Sequence, residues 1–167
     1  MPTTLQRIVV TSQLGSTEIT TPPAGIVANF NGRKGDFVTL DATGKVTSAA
    51  NSNAQVGATV RLALLNQAVA TGTPAGTPVS IEKIDENTII ELPATQGNAA
   101  VANPATTIPA IVGTQVALRR TSTGTYTADL AATTGPHLEV IGIGTRYSMT
   151  EPFSTVLVKV LPGARLL

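Results

Sequence analysis

Gln55-Val56-Gly57-Ala58-Thr59-Val60-Arg61-Leu62-Ala63-Leu64-Leu65 is the stretch that sets the fold class. Val56, Ala58, Val60, Leu62 and Leu64 fall on one side of an extended chain; Gly57, Thr59, Arg61 and Ala63 fall on the other. A side-chain period of two is the mark of a strand with one face in and one face out. Ala and Leu also permit a helix over Val60 to Val69. The β-branched start and the flanking glycines favour the strand.

Working outward, short β-type runs recur between turn signals. Ile26–Phe30 and Asp36–Leu40 read as strands, with Asn31-Gly32 and Gly35 supplying the positive-φ positions of a reversal. Asp41-Ala42-Thr43-Gly44-Lys45 reads as a hairpin loop before Val46. Thr71–Pro78 is a loop, Val79–Ile84 a strand, and Asp85-Glu86-Asn87 a turn into a partner strand, Thr88–Pro93. Residues 94–109 read as a long loop, because Pro104 and Pro109 oppose a helix. Gln115–Thr121 and Thr125–Asp129 form a hairpin around Gly124. Leu138–Ile143 and Phe153–Leu161 complete the pattern, and Pro162-Gly163 ends it. The expectation is an all-β fold: a small barrel or sandwich of up to ten short antiparallel strands over residues 25–167. Residues 1–24 precede it as an extended arm. Leu5 to Thr11 is its one strand-like piece; Gly15 to Gly25, with Pro22 and Pro23, reads as irregular.

Composition narrows the function. There is no cysteine and no tryptophan, one histidine, 3% aromatic and 13% charged residues, and a net charge of +1. Disulfides, thiol catalysis and Cys-based metal sites are excluded. The only basic doublets are Arg33-Lys34 and Arg119-Arg120, far from the basic stripe with aromatics of a nucleic-acid binder. No apolar run approaches the roughly 20 residues of a spanning helix. Met1-Pro2-Thr3-Thr4-Leu5 lacks the start of a signal peptide, so the expected protein is made in the cytoplasm without secretion. Soluble domains usually carry about 25% charged residues. A surface of Thr, Ser, Asn, Gln and Ala is easily desolvated and suits interfaces.

The chemistry-bearing residues read as structural. His137 has no second ligand or nucleophile nearby in sequence and is placed in a loop or interface. Asp36, Asp41 and Asp85-Glu86 read as turn residues. Gly142-Ile143-Gly144 lacks the rest of a phosphate loop; its glycines allow close approach or end a strand. Arg119-Arg120, placed just after a strand, is either a solvated edge or a pair that forks onto acidic partner groups. No catalytic, metal or cofactor-binding residue is expected, and no cofactor.

The run Gly35-Asp36-Phe37-Val38-Thr39-Leu40-Asp41-Ala42-Thr43-Gly44-Lys45-Val46 leads into Val56-Gly57-Ala58. Later come Gly113-Thr114-Gln115-Val116-Ala117-Leu118, Leu138-Glu139-Val140-Ile141-Gly142-Ile143 and Val156-Leu157-Val158-Lys159-Val160. In strand rhythm and Gly-Asp turn positions this resembles the decoration, or cement, proteins of tailed-bacteriophage heads, over about residues 25–161. The resemblance implies a non-enzymatic virion protein on the outer capsid surface. It implies a homotrimer at local three-fold sites that clamps neighbouring major capsid subunits, with no nucleic acid, membrane or small-molecule substrate. Leu5, Arg7, Ile8, Ile19, Pro22, Pro23, Arg119 and Arg120 are the expected protein-interface residues. Two other classes stay open: another phage structural module of tail or fibre, and a carbohydrate-active β-protein. The latter would need aromatic platforms and paired carboxylates, against two Tyr, three Phe and no Trp here.

Overall fold

The computed structural model describes residues 9–12 (backbone), 18–97, 99–101, 103–144 and 154–166. Thirteen strands occur there, more than the ten expected. They are β1 Val9–Ser12, β2 Ile19–Thr20, β3 Phe37–Leu40, β4 Val46–Ser48, β5 Ala54–Gln55, β6 Ala63–Leu65 and β7 Ile81–Lys83. Then come β8 Ile89–Gln96, β9 Ala99–Ala100, β10 Gln115–Arg120, β11 Tyr126–Asp129, β12 Leu138–Ile143 and β13 Thr155–Val160. A single α-helix, α1, spans Pro104–Ile111, and a 3-10 turn, Pro162–Ala164, follows β13. The all-β expectation holds.

Two sheets form. In the larger, β8, β11, β10, β12 and β13 follow one another and β13 pairs back onto β8, closing a five-stranded barrel. Every step is antiparallel except β8–β11, which is parallel. Closure removes edges that would otherwise pair with other chains. Two long strands make it possible by changing neighbours along their length. The β1 ladder lies along Ile89–Glu91 of β8, and β11 takes over at Ala94 and Thr95. Pro93 sits between those two ladders. Its missing N–H faces that gap, since the next residue, Ala94, donates the other way to the Ser154 carbonyl at 2.9 Å. Likewise β10 pairs with β12 at Gln115 and Val116, then with β5 at Arg119 and Arg120. The barrel is filled by alternate aliphatics: Ile90, Leu92 and Ala94; Val116 and Leu118; Leu138 and Val140; Val156, Val158 and Val160.

The second sheet runs β2-β7-β6-β3-β4, all antiparallel. Its centre, at Phe37–Val38 and β6, is buried on both faces. Cross-strand neighbours Phe37 and Leu64 point into the barrel core, together with Leu62. Their neighbours Val38 and Ala63, with Leu65 and Ile81, build a second core closed by Ile26, Phe30, Val69 and Val79 from loops. The aromatic contact at the junction is edge-on: Phe37 and Tyr126 rings lie 5.5 Å apart at 76°.

Several expectations are corrected. Gln55–Leu65 is not one strand: the chain leaves β5, turns at Gly57–Val60 through a 2.9 Å bond, and re-enters pairing at Leu62. Leu62, Ala63, Leu64 and Leu65 are all buried, so alternation there divides two cores and not core from solvent. Ile26–Phe30 is a turn with one bridge, Ile26 to Val46; Asn29, at φ 58°, takes the left-handed conformation assigned to Gly32. Gly32 instead bridges Val69, and a Cβ there would meet Leu65 Cδ2 at 2.8 Å. The Asp85–Asn87 turn does not form a hairpin. It carries the chain from the second sheet into the barrel, and β8 continues to Gln96.

Residues 94–109 are not a loop either. Pro104 opens α1, where a residue without N–H loses nothing. Pro109 removes one internal bond but is exposed, while Ile108 is fully buried in the barrel core with Ile111 packed beside it. Burial outweighs propensity here. In the arm, Leu5, Arg7 and Ile8 lie outside the described residues. Val9–Ser12 lies on β8, and Ile19–Thr20, expected to be irregular, pairs with Ile81 and Glu82.

Candidate functional site: an arginine groove between barrel and sheet

A depression of about 340 Å³ lies where the turn before β3 faces the β10–β11 hairpin. Its residues are placed by local chemistry. Asp36 closes the turn, accepting the Arg33 N–H on Oδ2 at 2.8 Å while its own N–H reaches the Arg33 carbonyl at 3.0 Å. Asn31 Nδ2 donates to Thr71 Oγ1 at 3.3 Å, joining this turn to the next loop. On the opposite wall, Arg120 lies across from Tyr126 in the ladder. Its guanidinium carbon sits 5.7 Å from the Tyr126 ring centre, a cation–π contact. Arg120 Nε donates to the Gly124 carbonyl at 3.4 Å and Nη1 to the Ala50 carbonyl at 3.2 Å. Tyr126 is buried, and its hydroxyl accepts the Ala49 N–H at 3.0 Å. Burial pushes that phenol up to about 12, against the opposing pull of Arg120, so it stays neutral.

Of the interface residues expected from sequence that the structure describes, Arg120 alone lines this groove; Leu5, Arg7 and Ile8 lie outside the described residues. Arg119 and Arg120 lie within β10, not after it. Arg119 Nε pairs with Asp129 Oδ2 at 2.8 Å, and that carboxylate is buried, its Oδ1 accepting the Gly97 N–H at 2.9 Å. Pro22 is buried and Pro23 exposed, while Ile19 on β2 is 55% exposed. Sequence reasoning missed the groove, although the two basic doublets were its signal: each contributes one arginine.

His137 lies in the loop immediately before β12, and its side chain is fully buried. Nε2 lies 2.9 Å from the Gly57 carbonyl, so the proton sits there, and buried Nδ1 has no partner among the described residues. Desolvation lowers its pKa, opposed by the Gly57 bond and assisted by Arg61.

Asp41 and Asp85 are turn residues, as expected. Asp41 Oδ1 accepts from Thr43 and Lys45, and Asp85 Oδ1 accepts from Asn87 and Thr88. Hydrogen bonds from Thr43 and Thr88, respectively, hold both carboxyls below their usual range. Gly144 makes room for side chains: a Cβ there would collide with the Thr155 hydroxyl, which hydrogen-bonds buried Glu91. Among the described residues no three His, Asp or Glu converge, and no helix is long and apolar enough to cross a membrane. No family profile, curated protein or solved structure matches the chain.

Proposed function

We propose that the protein is a structural module of a tailed-phage head, binding the outer surface of the assembled shell as a trimer and cementing neighbouring capsid subunits. The observation that carries this reading is the open edge of the second sheet. The five barrel strands close on themselves, whereas the second sheet ends in the two-residue strand β2, with no strand beyond it among the described residues; its Ile19 is the most exposed large apolar side chain described. A two-residue edge offers little main chain for strand addition, but its outward apolar residue suits packing by a partner. The weakly charged surface supports the same reading, because small neutral contacts are easily desolvated.

The mechanism is linkage. A ligand that binds only the assembled state stabilises that state by mass action. A trimer makes each later contact intramolecular, so weak contacts add as avidity. Heads carrying the protein should survive osmotic shock and heating better than heads lacking it, scored by DNA release. Ile19→Asp should lower head occupancy at least about tenfold, since an interface anchor is worth roughly 1–2 kcal/mol or more, with the melting temperature little changed. Equal survival of bare and decorated heads overturns the reading.

A further inference from the structure

The arginine groove lies on different elements from β2, and cementing through that edge makes no use of it. We propose that the groove is a receptor for an acidic peptide segment, its carboxylates seated between Arg33 and Arg120 and its backbone N–H groups facing Asp36.

The charge arrangement supports this occupant. Neither guanidinium has a carboxylate partner among the described residues; the ion pairs there are Lys83–Glu18 and Arg119–Asp129. Arg120 is already ordered by two carbonyls and the Tyr126 ring. Less side-chain freedom is therefore lost when it takes an anion. Arg33 is exposed, with its backbone fixed by Asp36, so its fork is free to close over a ligand. Asp36 is the discriminating group. Its carboxylate is an acceptor inside the groove, a group that phosphate oxygens do not complement. A peptide supplies what Asp36 lacks, N–H donors, together with carboxylates for the arginines. Thr71 and Thr125 add neutral hydrogen-bonding groups to the lining. A volume of about 340 Å³ suits a few side chains and not a folded partner.

The test is a titration of the isotopically labelled full chain, followed at the Arg33 and Gly124 amides. The probes are acetyl-Glu-Asp-Glu-Asp-amide, its Gln/Asn counterpart and inorganic phosphate. The expected result is saturable binding of the acidic peptide, with Kd of about 0.1–1 mM for a partly exposed site. Binding should weaken with salt, phosphate should bind more weakly, and the neutral peptide should not bind. Arg33→Glu should weaken binding at least about tenfold with an unchanged spectrum elsewhere; Arg33→Ala should show the same direction if the reversal unfolds the chain. Absence of saturation, preference for phosphate, or undiminished binding by the Arg33 variants overturns the proposal. Each of these outcomes leaves the head-cementing reading where it stands, because that is scored on heads through Ile19.

Discussion

His137 makes the stability of this protein depend on mild acid. The imidazole is neutral in the core, donating from Nε2 to Gly57, and burial lowers its pKa from the ordinary 6.5. Between 6.5 and the lower folded value, the unfolded chain takes up a proton that the folded chain refuses. Stability is therefore complete above pH 6.5 and falls as pH drops through the folded pKa. His137 is the only histidine, and the lowered carboxyls Asp41 and Asp85 titrate well below this window. Urea unfolding between pH 7.5 and 5 should show this decline in the wild type, and His137→Leu should abolish the slope whatever its absolute stability. A slope that persists in the variant contradicts the assignment. Gly144 gives a second test at this scale. Overpacking a filled site costs about 1–3 kcal/mol, so Gly144→Ala should lose that much. Gly163→Ala, with nothing within 4 Å of its Cβ, should be close to neutral. Equal midpoints for the two variants contradict the close packing of Thr155 and Glu91 against the glycine.

The strand β6 shows how much of each element was legible in sequence. Its period-two pattern was visible, but its meaning was not: Leu64 faces the barrel core and Leu65 the second core. A single-faced strand would tolerate change on one side. Leu64→Ala and Leu65→Ala should therefore each cost about 2–5 kcal/mol, read as denaturant midpoints. A near-neutral result at either position contradicts the two-core arrangement. Hairpins were legible because their chemistry is local. Asp41 accepts from the N–H groups of Thr43 and Lys45, and Gly44 and Gly124 take φ of 78° and 83°. The β3–β4 and β10–β11 ladders follow directly. Pairing across long separations was not legible. Nothing in Ile89–Gln96 announces that it runs parallel to β11 and closes onto β13. Helix α1 was hidden because its two prolines count against it in sequence, whereas its buried Ile108 counts for it only once the barrel exists. The arginine groove was hidden for the same reason: Arg33 and Arg120 meet only when the second sheet docks on the barrel.

At the scale of the whole molecule, a closed barrel is joined to a two-faced sheet through β6, Phe37 and Tyr126. The C-terminal segment ties them further: the Leu62 N–H donates to the Ala164 carbonyl at 2.7 Å and the Leu62 carbonyl accepts the Leu166 N–H at 3.0 Å. The two cores share a strand, so unfolding should be a single cooperative transition. Such a body is compatible with the clamp proposed above. The most direct test is density for heads assembled without the protein and then incubated with the purified chain. The expected result is discrete density on the outer surface at local three-fold positions, three copies to a site, with the β2 edge turned toward a neighbour. Heads that stay bare at saturating protein, or density confined to the tail, would contradict it.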